Sequence, residues 1–496
     1  MTGPASAGGG PTNPYVGPRA LRAGEAFFGR DREQRDLASL LVAERIVLLH
    51  APSGAGKTSL IQAGLIPQLK ERELLHPTPA VRVKTPPPEG VEVRNRYIYS
   101  VALDLFNGDR DPNELAGMTF ADIIAELAPP GGAGYPVLIL DQFEEIVSID
   151  PTDWKNQKIF FHELGAVLQD GHVWTLLSMR EDYMGGLDRF LRYIPGQLRA
   201  TFRLDYLSRN AAKVAIQRPA RERGVAFADD AAEALVEKLA KVVVARPYGP
   251  VKMVDAPYVQ PFQLQVVCRR LWDEMAKQEP GGDFQAIDLR HVDDLARIPE
   301  ALADYYANAV ADVASQTNGD EAAIRTWFEH DLITKDRLRT QVLAGPKTGQ
   351  AAPETILQAL EEVRLVRGDT RGDSTWWELS HDTLIRAVID DNRKWFMRRL
   401  QPWQLEARRW ASDGRRAPLL TGPRLREARL SADTVALNED ERAFLEASQR
   451  VEEESQRVEK ERGTLHRMRG VVTNLRVLVV VESATIVVLL VALFVR

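Results

Sequence analysis

Eight consecutive residues constrain this chain more than any others: Ala51-Pro52-Ser53-Gly54-Ala55-Gly56-Lys57-Thr58. They follow the apolar run Arg45-Ile46-Val47-Leu48-Leu49-His50 and open a helical pattern that continues to Leu69. A glycine-rich turn between a buried strand and a helix start, closed by Lys-Thr, is a phosphate cradle. The helix N-terminus offers free backbone amides, the lysine adds a point charge, and the Thr58 hydroxyl is placed to ligate Mg²⁺. The usual pattern begins with Gly where this chain has Ala51, but Gly54 and Gly56 are kept.

Further apolar runs read as strands: Tyr97–Leu103, Pro136–Asp141, Val173–Met179 and a short Phe202-Arg203-Leu204, with helical stretches between them such as Lys155–Leu168. Strands alternating with helices argue for a doubly wound parallel sheet, an α/β P-loop NTPase domain over 25–208. From Asn210 the strands stop. Ala211–Arg221, Asp229–Val244, Phe262–Lys277, Val292–Val313 and Asp320–His330 read as helices, giving a helical domain over 209–310. A helix at Thr355–Glu362, strands at Val363–Arg367 and Thr375–Leu379 and a helix at Asp382–Leu400 outline a winged-helix domain over 311–400. In it Trp376 and Trp377 read as packing residues.

Asp141 closes the expected third strand and is placed to hold Mg²⁺ through water. Gln142-Phe143-Glu144-Glu145 follow it. One of Glu144 and Glu145 can polarise an attacking water, or both are simply solvated acids at a helix start. Arg180 ends the fourth strand, where a cation at the carboxyl edge of a parallel sheet faces the ligand crevice and can sense a γ-phosphate. Its other reading is an ion pair with Glu181 or Asp182.

At roughly 150 residues per domain, 496 residues suggest about three domains. With 64 basic and 70 acidic residues the net charge is −6, which gives no support to a chain-wide polyanion binder. One cysteine, Cys268, excludes a disulfide framework and a cysteine-based zinc site, and its apolar surroundings make it a buried inert thiol. Residues 1–24, rich in Gly, Pro and Ala, are expected to be a disordered tail. Val477–Val495 carries a single charge, Glu482, over nineteen residues. It is expected to cross the inner membrane once, with Arg467, Arg469 and Arg476 keeping the N-terminal domains cytoplasmic. Before it, 401–476 reads as a charged helical stalk. Phe444, Val451, Val458, Leu465, Val472 and Val479 recur there every seven residues, but Ser448, Ser455 and Arg462 spoil the second seam. A solvated connecting helix and a weak coiled coil are both open readings.

Several segments together make the chain resemble the STAND class of P-loop NTPases, in particular the bacterial novel-STAND group, which is AAA+-related and NLR-like. Pro14-Tyr15-Val16-Gly17 with Phe27-Phe28-Gly29-Arg30-Asp31-Arg32-Glu33 is similar to the group's entry motif. Asp141-Gln142-Phe143-Glu144-Glu145 is similar to its acidic strand end, Met179-Arg180-Glu181-Asp182-Tyr183 to its sensor strand, and Leu379-Ser380-His381-Asp382-Thr383-Leu384 to its winged-helix histidine motif. The resemblance implies that Phe28, Gly29 and Arg30 line the adenine site and favour ATP over GTP. It implies that Pro52, Ser53, Gly54, Ala55, Gly56, Lys57, Thr58 and Ser59 hold the phosphates. It also implies that His381 reaches the β-phosphate of ADP and locks a closed state, a role that suits an imidazole tunable near neutral pH. Read without the resemblance, His381 only follows the N-cap residue Ser380 and helps to start a helix. The function implied is a slow ATPase that acts as a signalling switch, closed with ADP and open and homo-oligomeric with ATP, in antiphage defence or regulated cell death. No nucleic-acid partner is expected. Two alternatives stand beside it: a nucleotide-binding membrane scaffold without turnover, and a winged-helix DNA-binding ATPase using Arg386, Arg393, Lys394, Arg398 and Arg399.

Overall fold

The computed structural model describes residues 12–494 apart from 89, 107–109, 129–133, 149, 151, 247–248, 279–283, 335–336, 344, 347–352, 372–373, 433–436 and 438. The chain forms two compact units, Met1–Asp391 and Asn392–Arg496.

The first unit is built on five strands: β1 (Ile46–Ala51), β2 (Leu75–Val81), β3 (Tyr135–Leu140), β4 (Trp174–Arg180) and β5 (Thr201–Arg203). Their order is β2-β3-β4-β1-β5 and every pairing is parallel. Side chains of the central strands alternate between two apolar layers. Val47, Leu49, Val137, Ile139 and Leu176 pack with Leu37 and Leu41 of helix Asp31–Glu44. Leu48, Leu138, Leu140, Leu177 and Met179 pack with Ile98, Phe120, Phe160 and Leu164 on the other side. Burial on both faces is why these strands appear in the sequence as unbroken apolar runs.

Two sequence expectations are corrected within the sheet. Tyr97–Leu103 is not a strand but lies in helix Arg96–Leu105, capped by the Asn95 side chain, which accepts from the Tyr97 and Ile98 amides. Tyr97 through Ala102 are all buried, and so short a run rich in aromatic and β-branched residues looks like a strand. The strand that completes the sheet is β2, which contains Pro77 and Pro79. Prolines are tolerated because β2 is an edge strand. The register shifts between Pro77 and Ala80, and the Thr78 hydroxyl accepts from the Ile139 amide at 3.2 Å.

Strands also continue past Asn210. The helix beginning at Asp229 ends at Leu239, and the β-branched run after it forms an antiparallel hairpin, Lys241–Arg246 with Gly249–Asp255. Short pairs join Leu207–Ser208 to Tyr258–Val259 and Ala226–Phe227 to Ala286–Ile287. The helix expected over Val292–Val313 is two helices, Leu289–Leu295 and Ile298–Thr317, the second with Pro299 in its first turn. Helix Pro353–Glu362, the antiparallel strands Val366–Arg371 and Ser374–Leu379, and helix Leu384–Arg399 follow. Trp377 and Cys268 lie in the same apolar core as the preceding helices, and burial pushes the Cys268 thiol far above its ordinary pKa. Residues 1–11 of the expected tail lie outside the described residues. From residue 12 the segment is packed: Tyr15 is 2% exposed, and its hydroxyl donates to the Ile216 carbonyl at 2.5 Å.

In the second unit, helices Pro402–Ser412 and Gly422–Ala432 and the start of helix Glu439–Phe494 enclose Trp403, Trp410, Leu425 and Phe444. Ser448, a poor seam residue by composition, is buried, and its hydroxyl accepts from the Leu420 amide at 3.1 Å. Phe444 is spent on this small core, whereas Val451 and Val458 are 41% and 44% exposed. The side chains of Leu465 and Val472 lie outside the described residues.

The membrane-spanning helix expected over Val477–Val495 is overturned: among the described residues no helix is long and apolar enough to cross a membrane. The segment is the end of the long helix Glu439–Phe494, not an apolar element of its own. The single-pass anchoring and inner-membrane location that rested on this span fall with it.

Candidate functional site

The loop after β1 turns on two glycines in the left-handed region, Gly54 (φ 76°) and Gly56 (φ 98°). At Gly54 a Cβ would also stand 2.4 Å from Cε1 of His381, so both the backbone angle and the close approach demand glycine. Lys57 then opens the helix. Desolvation pushes its ammonium pKa down, opposed by Glu144 and Asp141. The Thr58 hydroxyl donates to Asp141 Oδ2 at 2.7 Å. The second carboxylate oxygen of Asp141 accepts from the Ser178 hydroxyl on β4 at 2.7 Å and from the Gln142 amide at 2.9 Å. Asp141 is thus fixed in place, 3% exposed, by the P-loop helix, β4 and its own following amide.

Glu144 and Glu145, equivalent in the sequence, are separated by the fold. Glu144 lines the cavity over the loop, and its Oε2 accepts from the Arg180 amide at 3.1 Å. Desolvation raises its pKa, and Lys57 opposes that rise. Glu145 is not part of the cavity wall. Its Oε2 is buried without a hydrogen-bond partner, and desolvation raises its pKa to about 8. Arg180 lines the cavity, pairs with Asp182 at 2.5 Å and lies 5.1 Å from the Tyr183 ring centroid. The ion pair weighed from the sequence is present, therefore, on a residue that also faces the crevice.

The cavity has a volume of about 740 Å³. One end is walled by Gly54, Lys57, Thr58, Asp141, Glu144 and Arg180. The rest of the wall mixes apolar residues, among them Val16, Phe28, Leu207, Ala215, Pro219 and Leu264, with polar ones such as Glu25 and Gln265. Arg30, 3% exposed, also lines it and donates to the carbonyls of Ala55 and Asp205 at 3.2 and 2.6 Å. Ser59 accepts from the Leu21 amide at 3.1 Å, which ties the entry segment to the helix after the loop. Pro52 and Gly29 are not part of the wall, and Gly29 packs on the Ala211 carbonyl.

The helix–hairpin–helix part reaches the same loop. The His381 ring stacks on Phe262 at 4.1 Å between centroids. Desolvation, with Arg367, Arg339 and Arg364 nearby, pushes the His381 pKa down to about 3, so the imidazole is neutral. That corrects the expectation of a charge tunable near neutral pH. Arg367 Nη1 donates to Ser53 Oγ at 2.6 Å, and its Nε is paired with Glu378. Arg364, with φ 58°, lines the cavity beside it. Tyr206 donates to the Ser53 carbonyl at 3.1 Å. Ser178, Tyr206, Arg364 and Arg367 carry no motif. Only the basic spacing Arg364/Arg367 at one end of a predicted strand offered a signal.

The site fits a nucleoside triphosphate and a hard cation. The loop lines a cavity that also presents the cations Lys57, Arg180, Arg364 and Arg367. A hydroxyl and a carboxylate in contact are the oxygen donors Mg²⁺ takes, the remaining ligands being water and phosphate. Among the described residues no cluster of three or more His, Cys, Asp or Glu is poised to hold a metal by itself. The family model described as Novel STAND NTPase 1 matches residues 14–417.

The chain belongs to that family. It is therefore a P-loop nucleoside triphosphatase, and the match spans both the sheet and the hairpin part. No curated protein matches the sequence. Among solved structures, the Aeropyrum pernix ORC2 protein in its ADP form is 16% identical, with a TM-score of 0.38 over 76% of this chain and 96% of that one. The Aeropyrum pernix ORC1 protein in complex with DNA gives 16% and 0.37 over 76% and 95%. The Thermotoga maritima RuvB Holliday junction branch migration motor gives 15% and 0.34 over 72% and 94%.

Proposed function

We propose that this STAND NTPase binds ATP with Mg²⁺, hydrolyses it slowly, and uses the bound nucleotide to set whether its helix–hairpin–helix part stays docked on the P-loop. One observation carries the reading: His381 and Arg367, from that part, touch Gly54 and Ser53 of the phosphate loop itself. We read the part as a winged helix. A group that occupies the loop meets these two side chains, so nucleotides with and without a γ-phosphate differ in their contact with the docked form. Such a difference is the condition for any switch.

ATP supplies the transferable γ-phosphoryl group. Lys57 and the loop amides bind and orient the phosphates. Thr58 and Asp141 would hold Mg²⁺. Glu144, partly desolvated and within the cavity, is the base that takes the proton of the attacking water. Arg180 and Arg364 are cations placed to favour the charged end of the ligand. Neutral His381 donates through an N–H to a β-phosphate oxygen without adding charge. Release of the docked part is the opening step, and ATP-bound open protomers assemble into homo-oligomers.

Equilibrium titration with a fluorescent ADP tests the reading. The full chain binds it with Mg²⁺, and Lys57→Ala weakens binding by at least 10-fold. Equal binding by wild type and Lys57→Ala contradicts the assignment of the loop.

A further inference from the structure

Away from the phosphate loop, the cavity wall holds one polar atom in an unusual state. Gln265 lines the cavity, and its Oε1 is buried with no hydrogen-bond partner. A buried carbonyl left unmatched is destabilising unless something the site binds satisfies it. Contacts along helix Pro261–Gln278 locate this atom. Phe262 stacks on His381, which lies on Gly54 at the phosphate end. Gln265 follows one helical turn later on the same face. One turn beyond it, Arg269 donates from Nη1 to the Val16 carbonyl of the entry segment at 3.0 Å. Gln265 therefore stands between the phosphate loop and the entry segment, where a nucleotide whose phosphates lie on the loop places its base. Other polar wall residues are otherwise engaged or open to water: Arg19 and Glu25 pair at 2.6 Å, and Glu222 and Arg223 are exposed.

We propose that Gln265 is the base-reading residue and selects a 6-aminopurine. The inference rests on the nucleotide reading above and adds the residue that reads its base. Oε1 accepts from the exocyclic amino group, and the amide N–H₂ of the same side chain donates to an adjacent ring nitrogen, the paired geometry by which Gln recognises adenine. On the N7 edge, where Gln pairs with adenine, a 6-oxopurine presents only acceptors, O6 and N7, so even a rotated amide leaves Oε1 unmatched, and a buried acceptor without its donor discriminates strongly.

The test is competitive titration of the full chain with ADP and inosine diphosphate, which differ at the 6-position. Wild type prefers ADP by roughly 10- to 100-fold. Gln265→Leu loses that preference and binds ADP more weakly. Gln265→Met, the closest apolar match in shape, serves as the second variant and loses the preference likewise. Thermal unfolding of each variant confirms the fold. A preference that survives unchanged in Gln265→Leu or Gln265→Met overturns the assignment, as does a wild type that binds both diphosphates equally. A wild type that binds neither overturns the nucleotide reading along with it.

Discussion

Two neighbouring glutamates make opposite predictions because their surroundings differ. Glu144, on the cavity wall and hydrogen-bonded to the Arg180 amide, is placed to act as base. Glu144→Gln is expected to lower turnover by about 10²- to 10⁴-fold while nucleotide binding survives. Its pKa is raised, and it must be ionised to work. The rate therefore falls as pH drops through a value above the ordinary 4.5 of a glutamate, and a pH–rate profile reads that limb directly. Glu145 reports on stability. Its carboxyl is held protonated, with a pKa of about 8 against 4.5 when free. Between those values the native state keeps a proton that the unfolded chain has lost. Its contribution is complete below 4.5 and is lost as pH rises through 8, at about 1.4 kcal/mol per pKa unit. Glu145→Gln, always neutral, should flatten the decline of melting temperature between pH 5 and pH 8.5. An unchanged slope would contradict the burial argument. His381 is held neutral by burial and the nearby arginines, and His381→Ala should weaken ADP binding, read by the fluorescent-ADP titration.

At the scale of elements, the hairpin's hold on the phosphate loop is the testable contact. Arg367→Ala removes the bond to Ser53 and leaves Glu378 unpaired by that residue. Faster ADP release is expected, measured by chase of a fluorescent ADP, and an unchanged release rate would remove Arg367 from the latch. This contact also marks the limit of what the sequence discloses. The phosphate loop, β3 ending before Asp141 and β4 ending at Arg180 are legible because a short apolar run, a turn and a functional residue lie next to one another in the chain. The strand with Pro77 and Pro79 was hidden, since only its edge position makes prolines acceptable there. Helix Arg96–Leu105 passed for a strand because its short buried run is rich in aromatic and β-branched residues, although the Asn95 cap marks a helix start. Arg367 on Ser53 and Gln265 in the cavity wall join residues hundreds of positions apart or without a motif, so no local pattern announces them. The terminal apolar run shows the opposite failure: composition alone suggested a span that the structure does not support.

For the whole molecule, family membership establishes an NTPase. What turns an NTPase into a switch is the coupling of its nucleotide to a part that can leave. Here the residues that reach the loop, Arg367 and His381, and the loop itself lie in one compact unit, Met1–Asp391. The decisive measurement is the mass of the full chain by sedimentation, with ADP and with a non-hydrolysable ATP analogue, for wild type and His381→Ala. The expected result is a monomer with ADP, a defined larger species with the analogue, and a lower analogue concentration for assembly in His381→Ala, where the docked form is weakened. Identical masses with both nucleotides, in wild type and in His381→Ala alike, would contradict the switch.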